Sequence, residues 1–244
     1  MLYILGNGSK HDNEELRWSL RSLEKYGRNV GSVSVVGDIP DWLSMEVKTL
    51  QTDNHASLVQ KNIFANVKAA VDAELVDGRF ILQADDHFYV KDVDFDAHPT
   101  YVCGELPTTV APDEVHYEYK LGLVGSRWIL GAHGLPTFMT SNHNALTVDA
   151  CSFYRHRNIV QGCGREESRM NAWAVLGNMF LYDNPDAPIG KRNDIKLCEP
   201  VCGDEFAKIV SGTDMFSIDN GMFECEAFIA FMEREFPNKS RWEK

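Results

Sequence analysis

The sequence predicts an α/β protein: a single domain with a mostly parallel sheet flanked by helices. Three observations carry this reading. Short apolar runs alternate with stretches of helical periodicity over roughly the first 85 residues. Gly, Asn and Asp punctuate the junctions, where turns need them. The chain has 244 residues, 44% hydrophobic and 11% aromatic, enough for one domain to bury most of its apolar surface.

The elements follow in order. Leu2–Leu5 reads as a strand entering the loop Gly6-Asn7-Gly8-Ser9. Glu14 to Tyr26 carries Leu16, Leu20 and Leu23 at helical spacing, with Asp12 and Asn13 as capping candidates and Gly27 as the stop. Val33–Val36 is a short buried strand, Ile39-Pro40-Asp41-Trp42-Leu43 a turn into a short element, and Val47–Leu50 a third strand. Leu58 to Val76 places Val59, Ile63, Val67, Ala70 and Val71 on one helical face. Arg79–Gln83 is a buried strand ending at Ala84-Asp85-Asp86-His87. The second half is less regular: helices over Val148 to Arg157, Met170 to Leu181 and Glu224 to Glu235, and a short strand at Ala207–Val210. No repeat or linker divides the chain, so residues 1–90 read as the ligand-binding half and 91–244 as the acceptor side of one cleft.

Charge and composition exclude several classes. Twenty-four Lys plus Arg against 36 Asp plus Glu give a formal net charge of -12, which argues against nonspecific coating of nucleic acid. A local basic region remains: Arg155, Arg157, Arg165, Arg169, Lys191 and Arg192 fall close together, so a DNA acceptor held in one cleft is compatible with the total. No signal-peptide pattern opens the sequence and no window approaches ~18 uninterrupted apolar residues, so a cytoplasmic protein without membrane insertion is expected. Cys198 and Cys202, spaced C-x3-C without a partnering pair, are a weak zinc signal.

The loop Gly6–Ser9 and the acids Asp85-Asp86 both follow strands, and in open parallel sheets ligands bind beyond the strand carboxyl ends. Adjacent carboxylates there suit Mg²⁺ or Mn²⁺, which favour one or two carboxylates plus phosphate oxygens. The same residues also suit an acidic turn that caps the next element.

The block Asn13-Glu-Glu-Leu-Arg17-Trp-Ser-Leu-Arg21-Ser-Leu-Glu-Lys-Tyr26, with Val33–Val36 and Ile39-Pro-Asp-Trp-Leu43, resembles the Stealth family of sugar-phosphate transferases. It also looks like small glycosyltransferases of phage genomes. Ala84-Asp85-Asp86 is similar to the acidic motif that follows in those families, although Ala84 and His87 depart from it. His133-Gly-Leu-Pro136 and Phe236-Pro-Asn-Lys-Ser240-Arg-Trp-Glu243 are looser matches. The resemblance implies a GT-A-like, Rossmann-like fold, host-cytoplasmic if phage-encoded, and transfer of a sugar or sugar phosphate from a nucleotide-sugar donor.

Taken with the residues, that gives a set of expectations. Asp86 and Asp85, with His87 beside them, hold a divalent ion, and Asp85 alternatively accepts a ribose hydroxyl. Gly6, Asn7 and Gly8 approach the donor, with Arg17, Arg21, Lys61 and Asn62 as further donor contacts. His133, and less strongly His143, are cleft histidines that either complete the metal site or remove a proton from an acceptor. Glu166 and Glu167, at a helix start, are candidate general bases, and Asp214, Asp219 and Asn220 lie on a late loop with the same potential. A non-catalytic nucleotide-sugar or glycan-binding module is the alternative from a different class.

Overall fold

The computed structural model describes residues 1–53, 59–140, 143–165, 168–191 and 195–244. The chain opens with β1 (Leu2–Leu5), α1 (Glu14–Tyr26), β2 (Gly27–Arg28), β3 (Ser34–Gly37), β4 (Lys48–Gln51), α2 (Val59–Asp72) and β5 (Arg79–Gln83). Next come β6 (His87–Tyr89), β7 (Val93–Asp94), β8 (Thr100–Tyr101), α3 (Tyr117–Ala132), β9 (Leu146–Asp149), α4 (Ala150–Arg155), α5 (Arg157–Cys163) and α6 (Ala172–Asp183). The order closes with β10 (Ile189–Gly190), β11 (Lys196–Leu197), α7 (Gly203–Ser211), β12 (Met215–Ile218), a 3-10 turn over Asn220–Glu224, and α8 (Glu226–Glu235).

The main sheet runs β4-β3-β1-β5-β9. Its first four strands are parallel and β9 pairs antiparallel with β5, so the sheet is mostly parallel, as the alternation of elements predicts. Parallel neighbours need long crossovers, and α1 and α2 supply them. The chain leaves β1 toward one edge, then returns to lay β5 on the other side of β1. The crevice beyond the carboxyl ends of β1 and β5 is therefore the point where strand order reverses.

Alternation along the strands covers both faces. Leu2, Val36, Leu82 and Val148 join Phe64, Val67 and Val71 of α2 and Val175 and Met179 of α6 in one core. Tyr3, Leu5, Val35 and Ile81 face the other way, onto Leu16, Leu20 and Leu23 of α1. A third cluster unites β6, β12, α7 and α8 through Phe88, Phe206, Phe216 and Phe228. The ring centroids of Phe88 and Phe216 lie 5.3 Å apart, within the favourable range for tilted aromatic pairs.

The second half departs from expectation in several places, including the short strands β8, β10, β11 and β12, which the sequence reading did not contain. Val148 and Asp149 finish β9, and the Asp149 carboxylate starts the following helix by accepting the Cys151 N–H at 2.9 Å. Ala207–Val210 lies inside α7, because Phe206 and Val210, four residues apart, both turn toward the aromatic cluster. The sequence reading contained no counterpart of α3, whose glycines obscure its periodicity. Those glycines have a purpose: a Cβ on Gly125 would sit 1.9 Å from the Arg169 carbonyl oxygen. Gly125→Ala is expected to cost about 1–3 kcal/mol by forcing α3 off that segment, read as a lower urea midpoint with an unchanged slope.

The C-terminal segment returns to α1. Ser44 N–H donates to the Trp242 carbonyl at 2.8 Å, and Lys244 N–H to the Trp42 carbonyl at 2.9 Å. The fully buried Glu243 carboxylate accepts from Arg21 Nε at 2.8 Å and Nη2 at 2.7 Å, and from Ser240 N–H at 2.9 Å. Arg17 lies 3.7 Å from the same carboxylate and 4.1 Å above the Trp42 ring. No helix among the described residues is long and apolar enough to cross a membrane.

Candidate active site

The carboxyl end of β1 runs into Gly6–Ser9, and the loop then has to turn into α1. Ser9 Oγ organises that turn by accepting the N–H groups of His11 at 3.3 Å and Asn13 at 3.0 Å. Asp12 and Asn13 both take left-handed backbone conformations (φ 54° and 55°), which Asp and Asn tolerate better than most residues. The result delivers the first turn of α1, with Glu15, to the mouth of the crevice.

On the neighbouring strand, β5 ends at Gln83 and the chain passes through Ala84, Asp85 and Asp86 before β6 pairs antiparallel with β12. β12 in turn places Ile218 and Asp219 opposite: Ile218 N–H donates to the Asp86 carbonyl at 3.3 Å. Asp219 Oδ1 accepts the Asn220 N–H at 2.7 Å, which fixes the 3-10 turn that follows. β11, parallel to β12, brings Lys196 Nζ to 3.5 Å from Asp86 Oδ2.

These segments enclose a cavity of about 240 Å³ lined by Gly6, Gly8, Ser9, Glu15, Asp85, Asp86, Lys196, Ile218, Asp219, Asn220 and Phe223. A larger cavity of about 670 Å³ lies between the β8 and β10 segments, walled by Val102, Cys103, Phe138 and Lys191. Its acid, Glu105, is already bonded to Thr137 at 2.7 Å. Chemistry rather than size selects the smaller cavity, because four carboxylates face it and one lysine offsets them.

Electrostatics there favour a positive ligand. Burial pushes Asp85 up to about 7, and the neighbouring charges of Asp86 and Glu15 add to the rise. Burial also raises Asp86, against the opposing pull of Lys196 and His143. His143 sits within electrostatic reach of Asp86 and Asp219. Burial, then Lys196 and His87, lower it to about 4, so it is neutral at pH 7. Among the described residues lining the cavity, Lys196 is the one full positive charge. Two adjacent, partly buried carboxylates whose ionised forms are disfavoured are what a divalent cation stabilises.

The structure brings together only part of the expected set. Gly6, Gly8, Asp85 and Asp86 line the cavity, with Asn7 exposed in the same loop. His87 is buried in β6 with Nε2 3.7 Å from Asp86 Oδ1. It does not complete a metal cage, because no three His, Cys, Asp or Glu side chains among the described residues converge closely enough to share an ion. Arg17 and Arg21 are engaged with Glu243, away from the lining, since the buried carboxylate outcompetes solvent for both guanidinium groups. Lys61 Nζ donates to the Arg165 carbonyl at 2.8 Å, and neither it nor the half-buried Asn62 lines the cavity. His133 is exposed at the end of α3, outside the lining. Glu166, Glu167 and Arg192 lie outside the described residues. Of the basic run, Arg155 pairs with Asp183 at 3.4 Å and Arg169 with Glu118.

Sequence reasoning missed Glu15, Lys196 and Phe223. Glu15 reads as an ordinary acid in a helix's first turn, and Lys196 sits in a two-residue strand with no pattern of its own.

No family model matches the chain. Among solved structures, the apo form of mouse xyloside xylosyltransferase 1 is similar over 90% of this chain and 96% of that one, at 11% identity and a TM-score of 0.40. A likeness that distant carries no argument about this chain's fold or chemistry.

Proposed function

We propose that the protein is a metal-dependent glycosyltransferase of GT-A-like fold that holds a nucleotide-sugar donor in the cavity between β1 and β5. The observation that supports this most is the adjacent pair Asp85-Asp86 at the carboxyl end of β5, beside a glycine-rich loop, at the reversal point of the sheet. The donor set fits a divalent ion: two carboxylates, both raised by burial, leave coordination positions for diphosphate oxygens. When bound, such an ion would stabilise the charge that develops on the departing nucleoside diphosphate.

The chain's own groups do the rest. Gly6 and Gly8 carry no side chain into the loop, so backbone N–H groups can approach the donor. Lys196, held at Asp86, supplies a positive charge that a diphosphate oxygen can share. Neutral His143 adds no positive charge to repel a cation. The Stealth-like reading, sugar-1-phosphate transfer, draws on the resemblance of residues 2–90; it requires the donor's phosphate to remain in the product.

A thermal-shift screen of nucleotide sugars with and without Mn²⁺ tests the proposal. At least one donor at ~100 times its Kd is expected to add about 2.7 kcal/mol, a rise of roughly 5 °C or more, and only when Mn²⁺ is present. A screen in which no nucleotide sugar or nucleoside diphosphate moves the midpoint overturns the donor site. A product whose mass includes the donor's phosphate assigns sugar-1-phosphate transfer instead.

A further inference from the structure

Glu15 is 6% exposed, yet it lines the cavity beside Asp85 and Asp86. Its Oε2 is enclosed and has no hydrogen-bond partner. A buried carboxylate oxygen left without a donor forfeits its hydration, and native proteins rarely tolerate that unless a ligand restores the bond. It occupies the first turn of α1, where the helix dipole favours an anion, and it contributes to the raised Asp85.

Two kinds of ligand satisfy such an oxygen, a cation or a hydrogen-bond donor. Glu15 does not join Asp85 and Asp86 in a three-ligand set, which removes it from direct sharing of their ion. Lys196 Nζ lies at Asp86 and donates no hydrogen bond to Glu15 Oε2. A neutral hydroxyl remains, and the rings of a nucleotide-sugar donor present several.

We propose that Glu15 is a specificity-determining residue whose Oε2 accepts a hydrogen bond from a ring hydroxyl of the donor, next to the metal pair and separate from it. This rests on the reading of the cavity as a donor site. A buried acceptor of this kind discriminates sharply, because a ligand lacking the hydroxyl leaves the carboxylate unpaired again. The hydroxyl belongs either to the ribose or to the transferred sugar, and the two sources separate experimentally.

The test is calorimetric binding, with Mn²⁺ present, to the wild type, Glu15→Ala and Glu15→Gln. One arm uses ribonucleoside diphosphates against their 2′-deoxy and 3′-deoxy counterparts. The other uses nucleotide sugars against analogues deoxygenated at single sugar positions. In the wild type, one deoxy analogue is expected to bind at least about tenfold more weakly than its parent. Glu15→Ala should shrink that ratio to below about threefold, while Glu15→Gln, whose amide oxygen still accepts, keeps part of it. The arm in which the ratio collapses identifies the ring. Ratios equal in wild type and Glu15→Gln and Glu15→Ala overturn the role of Glu15 while leaving the donor site standing. Absence of binding by every diphosphate and nucleotide sugar in the wild type overturns both.

Discussion

Asp86→Asn is expected to reduce sugar transfer by at least about 10²–10³-fold while moving the thermal midpoint by no more than about 2 °C. The asymmetry follows from the site's electrostatics. Asp86 is a carboxylate that burial already destabilises as an anion, so its replacement by an isosteric amide removes little folding energy. It also withdraws a like charge from Asp85. Lys196 loses its partner but is one-quarter exposed, so water can solvate the ammonium group. Catalysis has no such compensation, because the amide offers a metal ion no charge. Transfer measured by nucleoside diphosphate release, beside a melting curve of the same sample, reads both quantities. Full activity in Asp86→Asn would sink the assignment of the pair, and full activity in excess EDTA would sink the metal.

The opposite signature is expected at Glu243. Glu243→Ala should lower the midpoint by roughly 10 °C, since removing one partner of a buried pair costs about 3–5 kcal/mol and each kcal/mol is worth about 2–4 °C at this size. Arg21 would be left half-buried without its bidentate acceptor, and Arg17 would keep Glu14 at 3.2 Å but lose its buried carboxylate. Activity per folded molecule at low temperature should stay near wild type, because neither arginine lines the cavity.

The same carboxylate gives a pH dependence with a definite sign. Burial on its own would raise Glu243, but the Arg21 and Ser240 hydrogen bonds prevail and hold it below the ordinary carboxylate range. A depressed folded pKa means stabilisation that is present above the unfolded value and fades as pH falls through the folded one. Wild type and Glu243→Gln should therefore differ most above about pH 5 and converge in acid. A gap that stays constant down to pH 2 would contradict the ion pair.

The first half of the chain was legible because its signals are local. Leu16, Leu20 and Leu23 repeat at helical spacing, and Leu2–Leu5 and Arg79–Gln83 are short apolar runs bounded by turn residues. The expectation that Gly6–Ser9 and Asp85-Asp86 share one edge followed from their places after two parallel strands, and they line one cavity. The second half is governed by distant partners. Gly122 and Gly125 make sense in α3 only against the segment around Arg169 and Met170. The partner of Arg21 lies 222 residues away. Three segments that carry the resemblance, around Arg17 and Arg21, Trp42-Leu43, and Ser240 to Glu243, meet in one buried junction outside the cavity. That part of the resemblance therefore speaks to how the scaffold is held; of the residues that carry it, Glu15, Asp85 and Asp86 line the cavity.

The junction also sets a timetable for synthesis. A ribosome emitting about 5–20 residues per second completes α1 long before residue 243 leaves the exit tunnel. Through that interval neither Arg17, which stacks over Trp42, nor Arg21 has the buried Glu243 carboxylate to receive it. The nascent chain can pair β1, β3, β4 and β5 early, since all four lie within the first 83 residues, but it cannot seal the α1 face until Glu243 has emerged. Emergence of the segment from Ser240 to Glu243, rather than pairing of the parallel strands, is then the event that closes the α1 face.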